Sequence, residues 1–324
     1  MNFEVVFLGT GAAVPVPSRG TTSQFVDIHG HTYLLDAGEG VQLSLRKNKR
    51  KFQKLKGVFI SHMHGDHVLG LPGLLSTMSL LGRKEPLPVW GPDALGPWLD
   101  ATWHAIQAHM SFEVEFKPWG DGVEILEEGE RHRLVCAPAK HRIPTRALRI
   151  EEHSLPWKLD GAKAKLVGMP FHVRQALKRG ESVLWNGEVQ EASMWCKLPA
   201  TARAYVYSSD TRPCESVKAL AEGADLLYHD CTFAERDAAR AKATHHSTAK
   251  EAARLANQAG VKQLVLGHIS TRYRDVGELL EEAQAFHTDV VVATDGERIL
   301  GLGDLGSGGM GISEGNRINT AVMK

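Results

Sequence analysis

Four side chains able to bind a metal ion fall within six residues: His62, His64, Asp66 and His67, in the stretch Ser61-His62-Met63-His64-Gly65-Asp66-His67. The apolar run Gly57-Val58-Phe59-Ile60 leads directly into it. In extended backbone alternate side chains share a face, so His62 and His64 can serve one ion while Asp66 and His67, beyond the turn at Gly65, face a second. Two ions so placed would do hydrolysis, as Lewis acids that hold the nucleophile and the oxygens of the bond to be cut. The competing reading is a histidine-rich surface loop. It leaves unexplained why the ligands stand at the end of a buried strand.

Ligands need a rigid support, and apolar runs with polar tips recur along the chain. Such runs end at His62, Asp210, His229 and His268. Sites in layered α/β folds collect at strand ends in this way. Ala204-Tyr205-Val206-Tyr207 delivers the carboxylate of Asp210, which suits a ligand shared between two cations. Gln263-Leu264-Val265-Leu266-Gly267 carries His268, and Arg133 to Pro138 leads to His141, one of sixteen histidines. A hairpin expected over 24–28 and 31–35 ends at Asp36, placed to hold a ligand histidine by its second nitrogen or to cap a helix.

Further helices are expected over Val68–Leu81, Asp93–His109, Phe233–Lys242 and Ala249–Ala259, the last capped by Ser247 or Thr248. Residues 153 to about 199 lose clean periodicity and read as an insertion; loops of that length are usually functional. Seven of the eleven residues 46–56 are basic, which fits a solvated helix end or a phosphate-holding patch equally well. The Gly-rich tail, residues 303–324, is expected to be disordered.

Charges balance at 38 basic and 38 acidic residues, so a polyanionic partner must be met by a local patch. Cys136, Cys196, Cys214 and Cys231 form no Cys-x-x-Cys pair and fit reduced thiols. The first residues read as a strand with no basic leader, and no apolar stretch reaches the roughly 20 residues of a membrane span. A soluble cytoplasmic protein with no membrane partner is expected.

The pattern His-x-His-x-Asp-His after a strand resembles the metallo-β-lactamase superfamily. Further stretches resemble ribonuclease Z, the tRNA 3′-processing endonucleases, from residue 3 to about 300: Leu8-Gly9-Thr10-Gly11-Ala12-Ala13-Val14-Pro15, Asp36-Ala37-Gly38-Glu39-Gly40, Asp210-Thr211, His246-Ser247-Thr248 and His268-Ile269-Ser270-Thr271-Arg272-Tyr273. The resemblance implies an α/β fold, a four-layer αββα sandwich over residues 1–302, with the insertion as a protruding tRNA-clamping arm. It implies two Zn²⁺ per subunit and a homodimer acting on precursor tRNA; the His and Asp ligand set also accepts Mn²⁺ or Fe²⁺.

By position it assigns His62, His64 and His141 to the first ion, Asp66, His67 and His268 to the second, and Asp210 to both. Asp66 would also hold or deprotonate the attacking water, His246 would protonate the leaving oxygen, and Asp230 would orient His246. Arg272 is a candidate phosphate holder or a surface ion-pair residue.

Four places depart from the family pattern. His229-Asp230-Cys231-Thr232 replaces His-Glu-Ala-Thr, Met169-Pro170-Phe171-His172-Val173 stands where the arm has Pro-Pro-Gly-Pro, Arg19-Gly20 replaces Arg-Asn, and Ser209 replaces the Gly before Asp-Thr. The alternatives are a dinuclear hydrolase of a small phosphodiester, ester or lactone, and a binding protein that keeps metal for structure.

Overall fold

The computed structural model describes residues 2–154, 156–199 and 201–300, so the expected disordered tail lies outside the described residues. Two compact units partition them, one of the described residues within 2–150 and 204–300 and one of those within 151–203.

The larger unit holds two seven-stranded sheets. The first is built from β1 (Phe3–Gly9), β2 (Ser23–Ile28), β3 (His31–Ala37), β4 (Leu55–Phe59), β5 (Leu87–Gly91), β6 (Val114–Pro118) and β18 (Arg298–Leu300), in the order β18-β1-β2-β3-β4-β5-β6. Its first hairpins are antiparallel, and β3 to β6 run parallel. The second contains β7 (Glu124–Glu128), β8 (His132–Pro138), β9 (Arg146–Glu152), β14 (Ala204–Tyr207), β15 (Leu226–Asp230), β16 (Gln263–Gly267) and β17 (Val290–Val292), in the order β17-β16-β15-β14-β9-β8-β7. Strands β14 to β17 are parallel.

Strand β1 shows why the layers stack. Its seven residues are all buried, as in a strand covered on both faces. Phe3, Val5 and Phe7 join Tyr205, Tyr207, Tyr228 and Val265 of the second sheet in a core between the sheets. The alternate Val6 and Leu8 pack outward with Leu45, Leu74, Leu75 and Leu99 of helices α1 (Val41–Lys47), α3 (Leu71–Leu80) and α4 (Leu95–Ala105). On the far side, α8 (Glu215–Leu220), α10 (Ala249–Gln258) and α11 (Gly277–Gln284) cover the second sheet through Val217, Ala253 and Leu279. The result is the αββα order that the resemblance implies.

The single helix expected over 68–81 is two: α2 (Gly65–Val68) and α3. They part at Gly70, whose amide donates to the Ala37 carbonyl. A Cβ there would stand 2.1 Å from the Gly38 carbonyl oxygen, so only glycine allows this close approach. Of the basic run, Arg50 binds the buried Glu4 carboxylate through two contacts of 2.8 Å each, and Arg46 lies over the Phe52 ring. Both serve the fold.

The smaller unit corrects the expectation of an irregular insertion. It contains β10 (Lys158–Leu159), α5 (Gly161–Leu166), α6 (Phe171–Lys178), β11 (Val183–Trp185), β12 (Glu188–Gln190), α7 (Ala192–Trp195) and β13 (Cys196–Lys197) around Met169, Val173, Leu177 and Trp195. Elements this short carry too few residues for periodicity to register. The Asn186-Gly187 pair between β11 and β12, both at positive φ, is the hairpin signal that the sequence did offer.

A candidate dinuclear metal centre

The ligand candidates converge from the ends of strands of both sheets. After β4 the chain stays extended through His64, whose φ of −66° and ψ of 144° precede α2, so His62 and His64 project together and Asp66 and His67 follow on the helical turn. His141 follows β8, Asp210 follows β14 and His268 follows β16. Donor atoms of His62, His64, His141 and Asp210 form one group within 4.8 Å of one another, and those of Asp66, His67 and His268 form another.

Asp210 stands between the groups. Its Oδ2 is 3.6 Å from His62 Nε2 and 3.9 Å from His141 Nε2. The other oxygen, Oδ1, is 3.3 Å from both His67 Nε2 and His268 Nε2. Asp66 Oδ2 completes the second group at 3.3 Å from His268 Nε2 and 3.6 Å from His67 Nε2, and it accepts the Ala13 amide at 2.7 Å.

Hydrogen bonds behind the cluster fix which ring nitrogens face it. His141 Nδ1 donates to the His245 carbonyl at 2.9 Å, and His67 Nδ1 to Asp36 Oδ2 at 2.7 Å. Ser61 Oγ donates to Asp36 Oδ2 and so accepts from His62 Nδ1 at 3.0 Å. Thr232 Oγ1 likewise donates to Asp230 Oδ1 and accepts from His268 Nδ1 at 2.8 Å. In the neutral, ligating form of each ring, Nε2 then turns a lone pair inward. Asp36, singled out from the sequence, orients His67 directly and His62 through Ser61; Tyr207 OH also donates to it at 2.5 Å.

This arrangement suits cations and little else. His62 Nε2 lies 3.0 Å and His141 Nε2 3.2 Å from His64 Nδ1, a clustering of imidazole nitrogens that a shared positive ion relieves. Buried His67 Nε2 and Asp210 Oδ1 have no hydrogen-bond partner. Burial pushes the His62 and His64 rings toward the neutral, ligating form and takes His141 down to about 4. Burial acts the same way on His67, but the charges of Asp210, Asp66 and Asp36 outweigh it and raise its pKa well above the usual histidine range. Three rings are thus held neutral, and positive charge is favoured where carboxylates crowd His67.

Beside the second group, His246 Nδ1 is 2.8 Å from Asp230 Oδ2, and its ring stacks on His268 with centroids 5.2 Å apart. Burial lowers its pKa, but the Asp230 carboxylate prevails and carries it up to about 9. Asp230 is fully buried and also accepts the amides of Thr211 and Thr232 at 3.0 and 2.9 Å. His229 does not join the cluster: alternation along β15 turns Asp230 to the site, and His229 Nδ1 instead contacts the Asp230 carbonyl at 2.9 Å. Arg272 touches Ser270 Oγ at 3.2 Å and Asp237 Oδ1 at 3.4 Å, lies over Phe233, and lines the cavity.

That cavity, about 590 Å³, opens over both groups and over His246, walled by Ala12 to Pro15 on one side and by Arg142, Arg240 and Arg272 elsewhere. No residue of the basic run 46–56 lines it. Sequence reasoning missed Asp295, which receives the Thr10 amide at 2.9 Å and the Gly20 amide at 2.5 Å and so ties down the loop bearing Ala13. The signal was the same strand-end rule, because Asp295 follows β17.

Two stacked sheets between helices, with a two-part His and Asp centre at their strand ends, define a metallo-β-lactamase-fold hydrolase. The chain is 39% identical to ribonuclease Z of Porphyromonas gingivalis over 92% of its own length and 98% of that protein's. Ribonuclease Z of Bacillus licheniformis is 38% identical, with 90% and 97% covered. The chain belongs to the ribonuclease Z family.

Among solved structures it is similar to human tRNase Z, short form, at a TM-score of 0.67 and 25% identity, covering 91% of this chain and 98% of that one. The metallo-beta-lactamase fold protein YhfI from Bacillus subtilis shares the fold at a TM-score of 0.66 and 20% identity, with 93% and 100% covered. A family model described as anti-Pycsar protein Apyc1 matches residues 3–98, the segment from β1 into α4 that contains His62 to His67. One for the malic enzyme N-terminal domain matches residues 257–319. The described part of that second segment supplies β16 and β17 to the second sheet and β18 to the first, and is no separate domain. No helix among the described residues is long and apolar enough to cross a membrane.

Proposed function

We propose that this endoribonuclease removes 3′ trailers from precursor tRNA and leaves a 3′-hydroxyl on the tRNA body. The observation that carries the reading is Asp210, whose two oxygens face two separate donor groups in a chain of this family. His62, His64 and His141 would hold one divalent cation and Asp66, His67 and His268 the other, with Asp210 shared. Zinc suits this His and Asp set, and manganese or iron fits it too. Cations bound there acidify water and offset the charge of a phosphodiester.

The chain's own residues then divide the proton work. Asp66, held ionised by His67 and His268 against the effect of burial, accepts a hydrogen bond from the attacking water and orients it, and the water's proton passes on to solvent. The water oxygen bonds to phosphorus and the bond to the 3′ oxygen breaks. His246, with Asp230 on Nδ1, gives that leaving oxygen a proton from Nε2.

The unit of residues 151–203 is the proposed tRNA clamp; Lys163, Lys165, Arg174, Lys178 and Arg179 make its helical segment basic. A homodimer in the cytoplasm is proposed as the working form. Exposed Leu43, Leu80, Leu81 and Ile106 on the helical side of the first sheet support the dimer.

Competition separates this reading from a small-molecule hydrolase. Turnover of a chromogenic phosphodiester is measured with rising precursor tRNA. Strong competitive inhibition is expected; turnover indifferent to excess tRNA would remove tRNA as the substrate.

A further inference from the structure

Two arginines at the cavity have no role in the site as described so far. Arg142 directly follows the ligand candidate His141, and Arg240 lies on α9 (Ala238–Thr244), the helix that leads into His246. Both are exposed, and neither guanidinium has a hydrogen bond or ion pair among the described residues. Contrast Arg50 on Glu4 or Arg203 on Glu152, where the charge is spent inside the fold.

Their placement is fixed by the site itself. His141, the residue before Arg142, is anchored through Nδ1 to the His245 carbonyl, and the backbone of Lys140 bridges to Arg212. Arg240 and Thr244, four residues apart, share one face of α9, and both line the cavity. Thr244 Oγ1 bonds the Arg240 carbonyl at 2.9 Å, which ties that turn together. Each guanidinium offers five N–H donors in a planar fork suited to a phosphate. The chain has no net charge to attract a polyanion, so free cations beside the cluster are where local attraction must come from.

We infer that Arg142 and Arg240 bind backbone phosphates of the RNA strand next to the one being cut, and thereby seat the scissile phosphate between the two donor groups. The inference rests on the endoribonuclease reading above. Arg272 is partly engaged by Asp237 and Ser270, whereas these two are free to receive a ligand.

Arg142→Gln, Arg240→Gln and the double variant are compared with wild type on 3′-extended precursor tRNA over a range of KCl concentrations. Lys84→Gln is the control, an exposed cation outside the cavity lining. Each arginine change is expected to raise KM about tenfold, as loss of a charged hydrogen bond does. Wild-type kcat should hold within about twofold. The slope of log kcat/KM against log salt should fall by about 0.7 per arginine on a single strand. Lys84→Gln should alter neither.

If wild type cuts the tRNA and both arginine variants keep its KM and salt slope, the inference is overturned while the endoribonuclease reading stands. A wild type that leaves the tRNA intact would overturn both. Arginine variants that lose kcat at unchanged KM would also contradict it, because a seating contact acts on binding.

Discussion

Asp230 Oδ2 lies 2.8 Å from His246 Nδ1, although the family's usual glutamate is here an aspartate. The shorter side chain reaches because it sits at the end of β15, fully buried and fixed by the Thr211 and Thr232 amides. A charged partner at Nδ1 keeps the proton on His246 up to about pH 9. The protonated form is the proton donor, so kcat should hold below that pH and fall as pH rises through it. In Asp230→Asn the falling limb should move down toward the ordinary histidine value of about 6.5. A pH profile of kcat for both proteins checks this. An unmoved limb would remove His246 as the acid or Asp230 as its partner.

His246→Ala should cut kcat by about 10² to 10⁴, the usual range for a general acid, with metal content unchanged. Metal analysis alongside single-turnover rates tests both halves. Loss of metal with the imidazole would recast His246 as a ligand.

Asp36 belongs to neither donor group yet orients His67 and, through Ser61, His62. Asp36→Asn should weaken metal affinity by about 10- to 100-fold, the usual cost of losing such a support. Competition with a chelator of known affinity measures it. Unaltered affinity would mean that packing alone sets the two rings.

Ser209 has a φ of 56°, in the left-handed region where the family's glycine would sit without strain, and its hydroxyl donates to Ser61 Oγ at 2.7 Å. Ser209→Gly should therefore change stability by less than about 1 kcal/mol, relief of strain offsetting the lost hydrogen bond. Ser209→Val should lose at least about 1 to 3 kcal/mol, since a β-branched residue is strained there. Denaturant unfolding of the metal-free forms compares them.

The legible part of this molecule lay where one rule repeated. Buried strands ending in His or Asp pointed to His62, Asp210 and His268, and the structure brings these together. The same rule misled at His229, because it says where a strand ends but not which of two neighbouring residues faces the site. Asp295 went unread because β17 is only three residues long. The basic run stayed ambiguous, since charge density alone does not reveal that Arg50 is bound to a buried Glu4 some 46 residues away in sequence. Arg142 and Arg240 become distinguishable from other surface cations only once the fold shows which of them have no partner.

The most direct test of the central claim is cleavage of 3′-extended precursor tRNA by the purified protein, with and without chelator, with both new ends mapped. A chelator-sensitive cut beside the acceptor stem is expected, leaving a 3′-hydroxyl on the tRNA body and a 5′-phosphate on the trailer. Cleavage that survives full metal removal, or intact tRNA under conditions where a small phosphodiester is turned over, would contradict it.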